Sequence, residues 1–175
     1  MQVLYYDYLD TPIGVLLLAG DGESLVELGF PHGKAARRHQ PHWIRRPGDF
    51  AECRRQLQQY FAGTRKEFDL PLAPRGTDFQ LQVWEVLRTI PYGETVSYGQ
   101  LAAQIKRPGA SRAVGAANGK NPIPIIIPCH RVIGSNGRLV GFGGGLPTKR
   151  HLLALEREAS TPTLFRMTPD FAKYT

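Results

Sequence analysis

Residues 97–119 read SYGQLAAQIKRPGASRAVGAANG, and this stretch decides the architecture of the chain's second half. Ser97 followed three positions later by Gln100 is a capping box, which starts a helix over Leu101–Ile105. The run Lys106-Arg107-Pro108-Gly109 forces a turn, because proline fixes φ and glycine accepts the positive values a reversal needs. Ser111 then reads as the cap of another helix through Asn118, ended by Gly119. Two short helices around a Pro-Gly turn have the pattern of a helix-turn-helix.

The helical pattern extends in both directions. Upstream, Thr77 and Gln80 form a second capping box before a helix over Phe79–Ile90, where Phe79, Val83, Val86, Leu87 and Ile90 share a face. Downstream, the glycine-rich loop Gly141–Gly145 precedes a last helix over Thr148–Glu158, and Ser160–Thr175 reads as a loosely ordered tail. The first half has a different period. Val3–Tyr8 and Ile13–Phe30 read as strands, the second broken into a hairpin at Gly20-Asp21-Gly22. Asp49–Phe61 places Phe50, Leu57, Tyr60 and Phe61 at helical spacing and stops at Gly63, giving a helix to cover the sheet. Glu67–Arg75 reads as a last strand running into a linker. The chain is therefore expected to be α+β. A small sheet with a covering helix fills an N-terminal domain over 1–75; a mainly helical domain with the helix-turn-helix and a reactive cysteine follows over 76–160, and a tail over 161–175.

With 42% hydrophobic and 21% charged residues among 175, the composition is that of a globular protein with an adequate core. The apolar runs Ile13–Ala19 and Pro122–Pro128 fall far short of the roughly 20 residues a membrane span requires. The first residues lack the pattern of a secretory signal, so a cytoplasmic location without membrane contact is expected. Two cysteines, Cys53 and Cys129, in regions of different character favour reduced thiols over a disulfide. The net charge of +7 is concentrated: between Glu94 and Glu156 there is no acidic residue, while Lys106, Arg107, Arg112, Lys120, Arg131, Arg138, Lys149 and Arg150 fall inside the interval. Such self-repulsion is tolerated when a polyanion supplies the counter-charge, and duplex phosphate is the obvious one.

The chemistry concentrates in Asn121–Val132, NPIPIIIPCHRV. In an extended strand adjacent side chains face opposite ways, so Cys129 and His130 cooperate only if the chain turns there or a water bridges them; Pro128 favours a change of direction. A free thiol is only a few per cent ionised at neutral pH and needs a base or a positive field, which His130, Arg131 and a nearby helix N-terminus can supply. The base needs orienting in turn, and Glu156 is the better of the two acids on the last helix, because Leu152, Leu153 and Leu155 set its turn against the core.

Asn121–Val132 resembles the active-site signature of the O6-alkylguanine (methylated-DNA) cysteine alkyltransferases. The resemblance extends through SYGQLAA (97–103), SRAVGAAN (111–118), GFGGGL (141–146) and LLALE (152–156), in order and at compatible spacing. It implies that Cys129 accepts the alkyl group, that His130 acts through a bound water, that Glu156 fixes the imidazole and that Asn121 holds the backbone turn. It implies that Tyr98 helps rotate the nucleotide and offers a proton to the leaving base, and that Arg112 fills the vacated stack. Ser111, Ala113, Gly115, Ala116, Lys120 and Ser135 are expected at the DNA, in the minor groove and without strong sequence preference, the small residues permitting close approach. Val132, Phe142, Gly143 and Tyr98 are expected around the everted base, whose extrusion costs a few kcal/mol. The implied partner is double-stranded DNA carrying O6-alkylguanine, with O4-alkylthymine as a further substrate. The protein is expected to act as a monomer, cooperativity along DNA being left open, in a single turnover without cofactor.

Phe142-Gly143 departs from the Tyr-Ser or Tyr-Ala of many members. A structural zinc of some relatives lacks a ligand set, since His32, His39, His42 and Cys53 have no metal-binding spacing. Three rival readings predict otherwise. A lesion-binding relative without repair activity would lack the acceptor cysteine; a helix-turn-helix regulator would bind selected sequences and ignore Cys129→Ser; and a thiol hydrolase would turn over repeatedly.

Overall fold

The first strands assemble around the apolar run Val15–Ala19. In the computed structural model, which describes residues 2–161, β1 (Tyr5–Thr11), β2 (Gly14–Gly20) and β3 (Leu25–Gly29) form an antiparallel meander, and β4 (Ile44–Arg45) pairs in parallel with β1. Leu16, Leu17, Leu18 and Ala19 are all buried, because the sheet is covered on both faces. Leu16 and Leu18 enter the main core, and Ala19 packs with Leu4 and Val26 in a smaller cluster beside Tyr6, Trp43 and Ala73. The hairpin forms where Gly20-Asp21-Gly22 placed it; Asp21 accepts hydrogen bonds from the backbone of Glu23 and Ser24.

A 3-10 turn over Pro47–Phe50 leads into α1 (Ala51–Phe61), which ends before Gly63 at φ +75°. The segment expected as a last strand, Glu67–Arg75, is irregular. It makes a single bridge, Leu72 to Leu25, through Leu25 N–H to the Pro71 carbonyl and Ala73 N–H to the Leu25 carbonyl. Pro71 and Pro74 have no N–H to give, so the ladder cannot propagate.

The helices follow their caps. In α2 (Asp78–Leu87) and α3 (Tyr98–Gln104) the Thr77/Gln80 and Ser97/Gln100 capping boxes are both complete. α4 (Ser111–Gly119) is capped differently from expectation: Ala110 is the N-cap, Ser111 is already helical, and no side chain accepts from the first turn. Between α3 and α4, Lys106 takes a left-handed φ of +61° to make the reversal. α5 (Leu146–Ser160) runs longer than expected at both ends; the tail beyond Thr161 lies outside the described residues. The short strands β5 (Val96–Ser97) and β6 (Val132–Ile133) pair in parallel and tie the start of α3 to the segment after Cys129. One apolar core runs through both halves, joining Leu57 and Tyr60 of α1 to Val83, Trp84 and Leu87 of α2 and Leu152 of α5.

Candidate active site

The apolar run before Cys129 is a wound loop, not a strand. Asn121 organises it: its amide nitrogen donates to the Ile127 carbonyl at 2.7 Å, and its amide oxygen accepts from Ile123 N–H at 3.0 Å. Ile125, fully buried, is held at φ +73°, a left-handed conformation that a β-branched residue adopts only when its surroundings impose it. The loop ends in a 3-10 turn over Cys129–Arg131, the change of direction expected at Pro128.

Glu156 lies behind this turn, fully buried, and gathers donors from four residues in three segments. His130 Nε2 stands 2.6 Å from Oε1; Arg131 donates from Nε to Oε2 and from a terminal nitrogen to Oε1, each at 2.9 Å. Tyr60 of α1 donates its hydroxyl to Oε1 at 2.8 Å, and Gly93 N–H reaches Oε2 at 3.3 Å. Burial alone would raise the carboxyl pKa, but the His130 and Arg131 partners hold it at about 2. Burial pushes the His130 pKa down, outweighing the pull of Glu156. At neutral pH the pair is therefore a carboxylate and a neutral imidazole. Because a carboxylate only accepts, Nε2 carries the proton and Nδ1 is left with its lone pair. Nδ1 is buried and bonds to no protein group among the described residues.

Cys129 is nearly buried, yet it lines a cavity of about 290 Å³. Tyr98, Gly115 and Asn118 form one side of that cavity; Phe142 and Gly143 of the glycine-rich loop form another; Phe30 and Ala35 of the N-terminal half close it. Burial pushes the thiol up to about 11, against the Asn121 side chain and the Lys149 ammonium, both of which favour the thiolate. Lys149 is fully buried, donates to the Val132 carbonyl at 2.6 Å and is itself pushed down to about 8 by burial. Tyr98 donates its hydroxyl to the Val140 carbonyl at 3.1 Å, and burial raises its pKa.

Residues 4–74 match the ribonuclease-like domain, and residues 78–158 the DNA-binding domain, of 6-O-methylguanine DNA methyltransferase. A Methanosarcina acetivorans protein named methylated-DNA-protein-cysteine methyltransferase is 52% identical over 153 residues, covering 87% of this chain and 98% of its own. The chain belongs to the 6-O-methylguanine DNA methyltransferase family. Its fold agrees with that of the family's Mycobacterium tuberculosis O6-methylguanine methyltransferase crystal structure, with a TM-score of 0.83 at 52% identity over 93% of this chain and 98% of that one. A crystal structure of M. tuberculosis OGT in complex with DNA superposes with a TM-score of 0.84 at 52% identity, over 91% and 97% of the two chains.

Within this methyltransferase family framework, Cys129, Asn121, Tyr98, Phe142 and Gly143 share the cavity, and His130 and Glu156 stand behind it. Val132, expected in the pocket, does not line it. Its side chain is buried in the core and its carbonyl is taken by Lys149. On α4, Arg112, Ala113 and Ala116 are exposed, Ser111 and Gly115 are half-buried, and Gly115 lies beneath the Tyr98 ring; Lys120 and Ser135 are exposed. Two cations counted toward the DNA side, Arg131 and Lys149, instead face inward, because a buried carboxylate and buried carbonyls recruit them. Exposed charge in the interval remains at Lys106, Arg107, Arg112, Lys120 and Arg138. His39, considered for metal, stacks on Tyr6 at 4.0 Å and bonds the Tyr8 hydroxyl; among the described residues no cluster of metal-ligating side chains is found. No helix among them is long and apolar enough to cross a membrane. Sequence reasoning missed Tyr60, Phe30 and Ala35, whose positions at the site have no local signal.

Proposed function

We propose that this chain repairs O6-alkylguanine in duplex DNA by transferring the alkyl group to Cys129, once per molecule. The carrying observation is the cavity floored by Cys129 with an oriented, neutral His130 behind it. Exposed Arg112 fills the gap left by the everted nucleotide, while Ala113 and Ala116 let α4 approach the minor groove. O4-alkylthymine is the second substrate, and the working unit is a monomer. The boundaries 1–75 and 76–160 divide sheet from repair machinery, although the two halves share their core.

In the reaction, His130 Nδ1 withdraws the thiol proton through a bridging water. The resulting imidazolium lies between that water on Nδ1 and the Glu156 carboxylate on Nε2, which stabilises it. The neighbouring Lys149 ammonium favours the thiolate against burial. Sulfur attacks the alkyl carbon, the carbon–O6 bond breaks with its electron pair going to guanine, and Tyr98 hands a proton to the departing base. The proton removed from sulfur restores the Tyr98 hydroxyl, so in net guanine gains one proton and Cys129, having lost one, is left as a thioether. A thioether has no hydrolysable acyl group, and turnover stops at one.

The test is mass spectrometry after incubation with duplex DNA containing O6-methylguanine. One added methyl group on the Cys129 peptide, at one per molecule, is expected, together with loss of transfer but retained DNA binding in Cys129→Ser. An unmodified Cys129 peptide in folded protein that binds the DNA refutes the proposal.

A further inference from the structure

The cavity is closed on one side by the other half of the chain, through contacts without slack. Ala35 N–H donates to the Gly143 carbonyl at 2.9 Å, and Phe30 meets Phe142 edge-on with ring centroids 5.5 Å apart. The facing surfaces are small because they must be. A Cβ on Gly143 would stand 2.5 Å from the Ala35 Cβ, and one on Gly144 would stand 2.8 Å from the Phe30 ring. A Cβ on Gly33, at φ +89°, would meet the Gly143 carbonyl oxygen at 2.3 Å. Residues 30–35 and the glycine-rich loop therefore fit each other closely enough that neither shifts alone.

We infer that residues 30–35, and Ala35 and Phe30 above all, set the size limit on the alkyl group that reaches Cys129. This rests on the alkyl-transfer reading given above. The cavity's volume of about 290 Å³ is at the lower end of small-molecule pockets, so the room left beside a purine for its O6 substituent is set by where the walls stand. On the glycine-loop side the wall can retreat only by displacing Ala35, whose backbone is hydrogen-bonded to it. The N-terminal half thus acts on the reaction as a specificity determinant, without touching the sulfur.

The experiment measures single-turnover transfer of methyl, ethyl and benzyl groups from the O6 position of guanine in the same duplex, for wild type, Ala35→Val and Ala35→Gly. Each added or removed methyl group at a packed wall changes discrimination by about tenfold or more. Ala35→Val is expected to lower the ethyl-to-methyl and benzyl-to-methyl rate ratios by that factor, and Ala35→Gly to raise them. If Ala35→Val does not fold, Ala35→Gly decides alone. Ratios that stay at the wild-type value, or rates for all three groups that fall together, overturn the size limit while leaving repair intact. A wild-type protein that transfers none of them overturns the repair reading, and the size limit with it.

Discussion

Replacing Arg131 with Met separates two roles for one cation. In the sequence Arg131 belongs to an interval suited to phosphate; in the fold it makes two hydrogen bonds to Glu156, donates to the Ile90 carbonyl at 2.6 Å and lies over the Tyr92 ring. Removing one partner of a buried ion pair strands the other, at a cost of about 3–5 kcal/mol. His130, Tyr60 and Gly93 still bond to Glu156, which favours the lower end. With a urea dependence of about 2–3 kcal/mol per molar for a chain of this size, the unfolding midpoint should fall by about 1–2 M. DNA affinity should keep its salt dependence, because the guanidinium faces no phosphate. Lys120→Ala is the counterpart: its midpoint should stay in place, while the slope of log affinity against log salt flattens by about 0.9, one phosphate's share. An Arg131→Met protein with an unmoved midpoint and a flattened salt slope would refute the inward assignment.

Lys149→Met should raise the pH at which Cys129 reacts with a small alkylating reagent and slow transfer at neutral pH, by about tenfold for each pH unit of that rise; an unchanged reactivity profile would remove the ammonium from the mechanism. Tyr60→Phe should cost about 1.5–3 kcal/mol in urea unfolding, the worth of a hydrogen bond to a charged acceptor. Acid should destabilise the protein through two groups. Glu156, near 2 in the fold against an ordinary 4.5, supplies roughly 3 kcal/mol that is complete above pH 4.5 and drains toward pH 2. His130, whose folded pKa is depressed, adds stability complete above its ordinary 6.5 and lost below it. Melting temperature should therefore fall as pH drops from neutral, and Glu156→Gln, less stable at neutral pH, should show a flatter decline below pH 4.5.

What the sequence made legible was local. Thr77/Gln80 and Ser97/Gln100 carry their own caps, and the hairpin at Gly20–Gly22 needs only neighbouring residues, so each formed in place. Glu156 was legible because three leucines fix which way its helix turn faces. Ser111 misled, since a serine before a helix signals a cap only if the chain enters at that residue, and here it enters at Ala110. Strand β4 has two residues and no pattern. The inward turn of Arg131 and Lys149 depends on acceptors supplied by remote segments, and charge counting along the chain assigns every cation to the surface. Ala35 and Phe30 were invisible for the same reason: they reach the cavity only when the two halves close.

The Tyr60 hydroxyl on Glu156 couples the sheet's covering helix to the reaction centre through a shared buried anion. Pulling the halves apart would leave that anion short of a donor and each side with bare apolar surface. Loss of order should therefore spread across the boundary instead of stopping there. Nature has placed one indole on each side, Trp43 beside the sheet and Trp84 in α2. Single-tryptophan versions of the protein should trace superimposable melting curves, reporting a molecule that comes undone in one step.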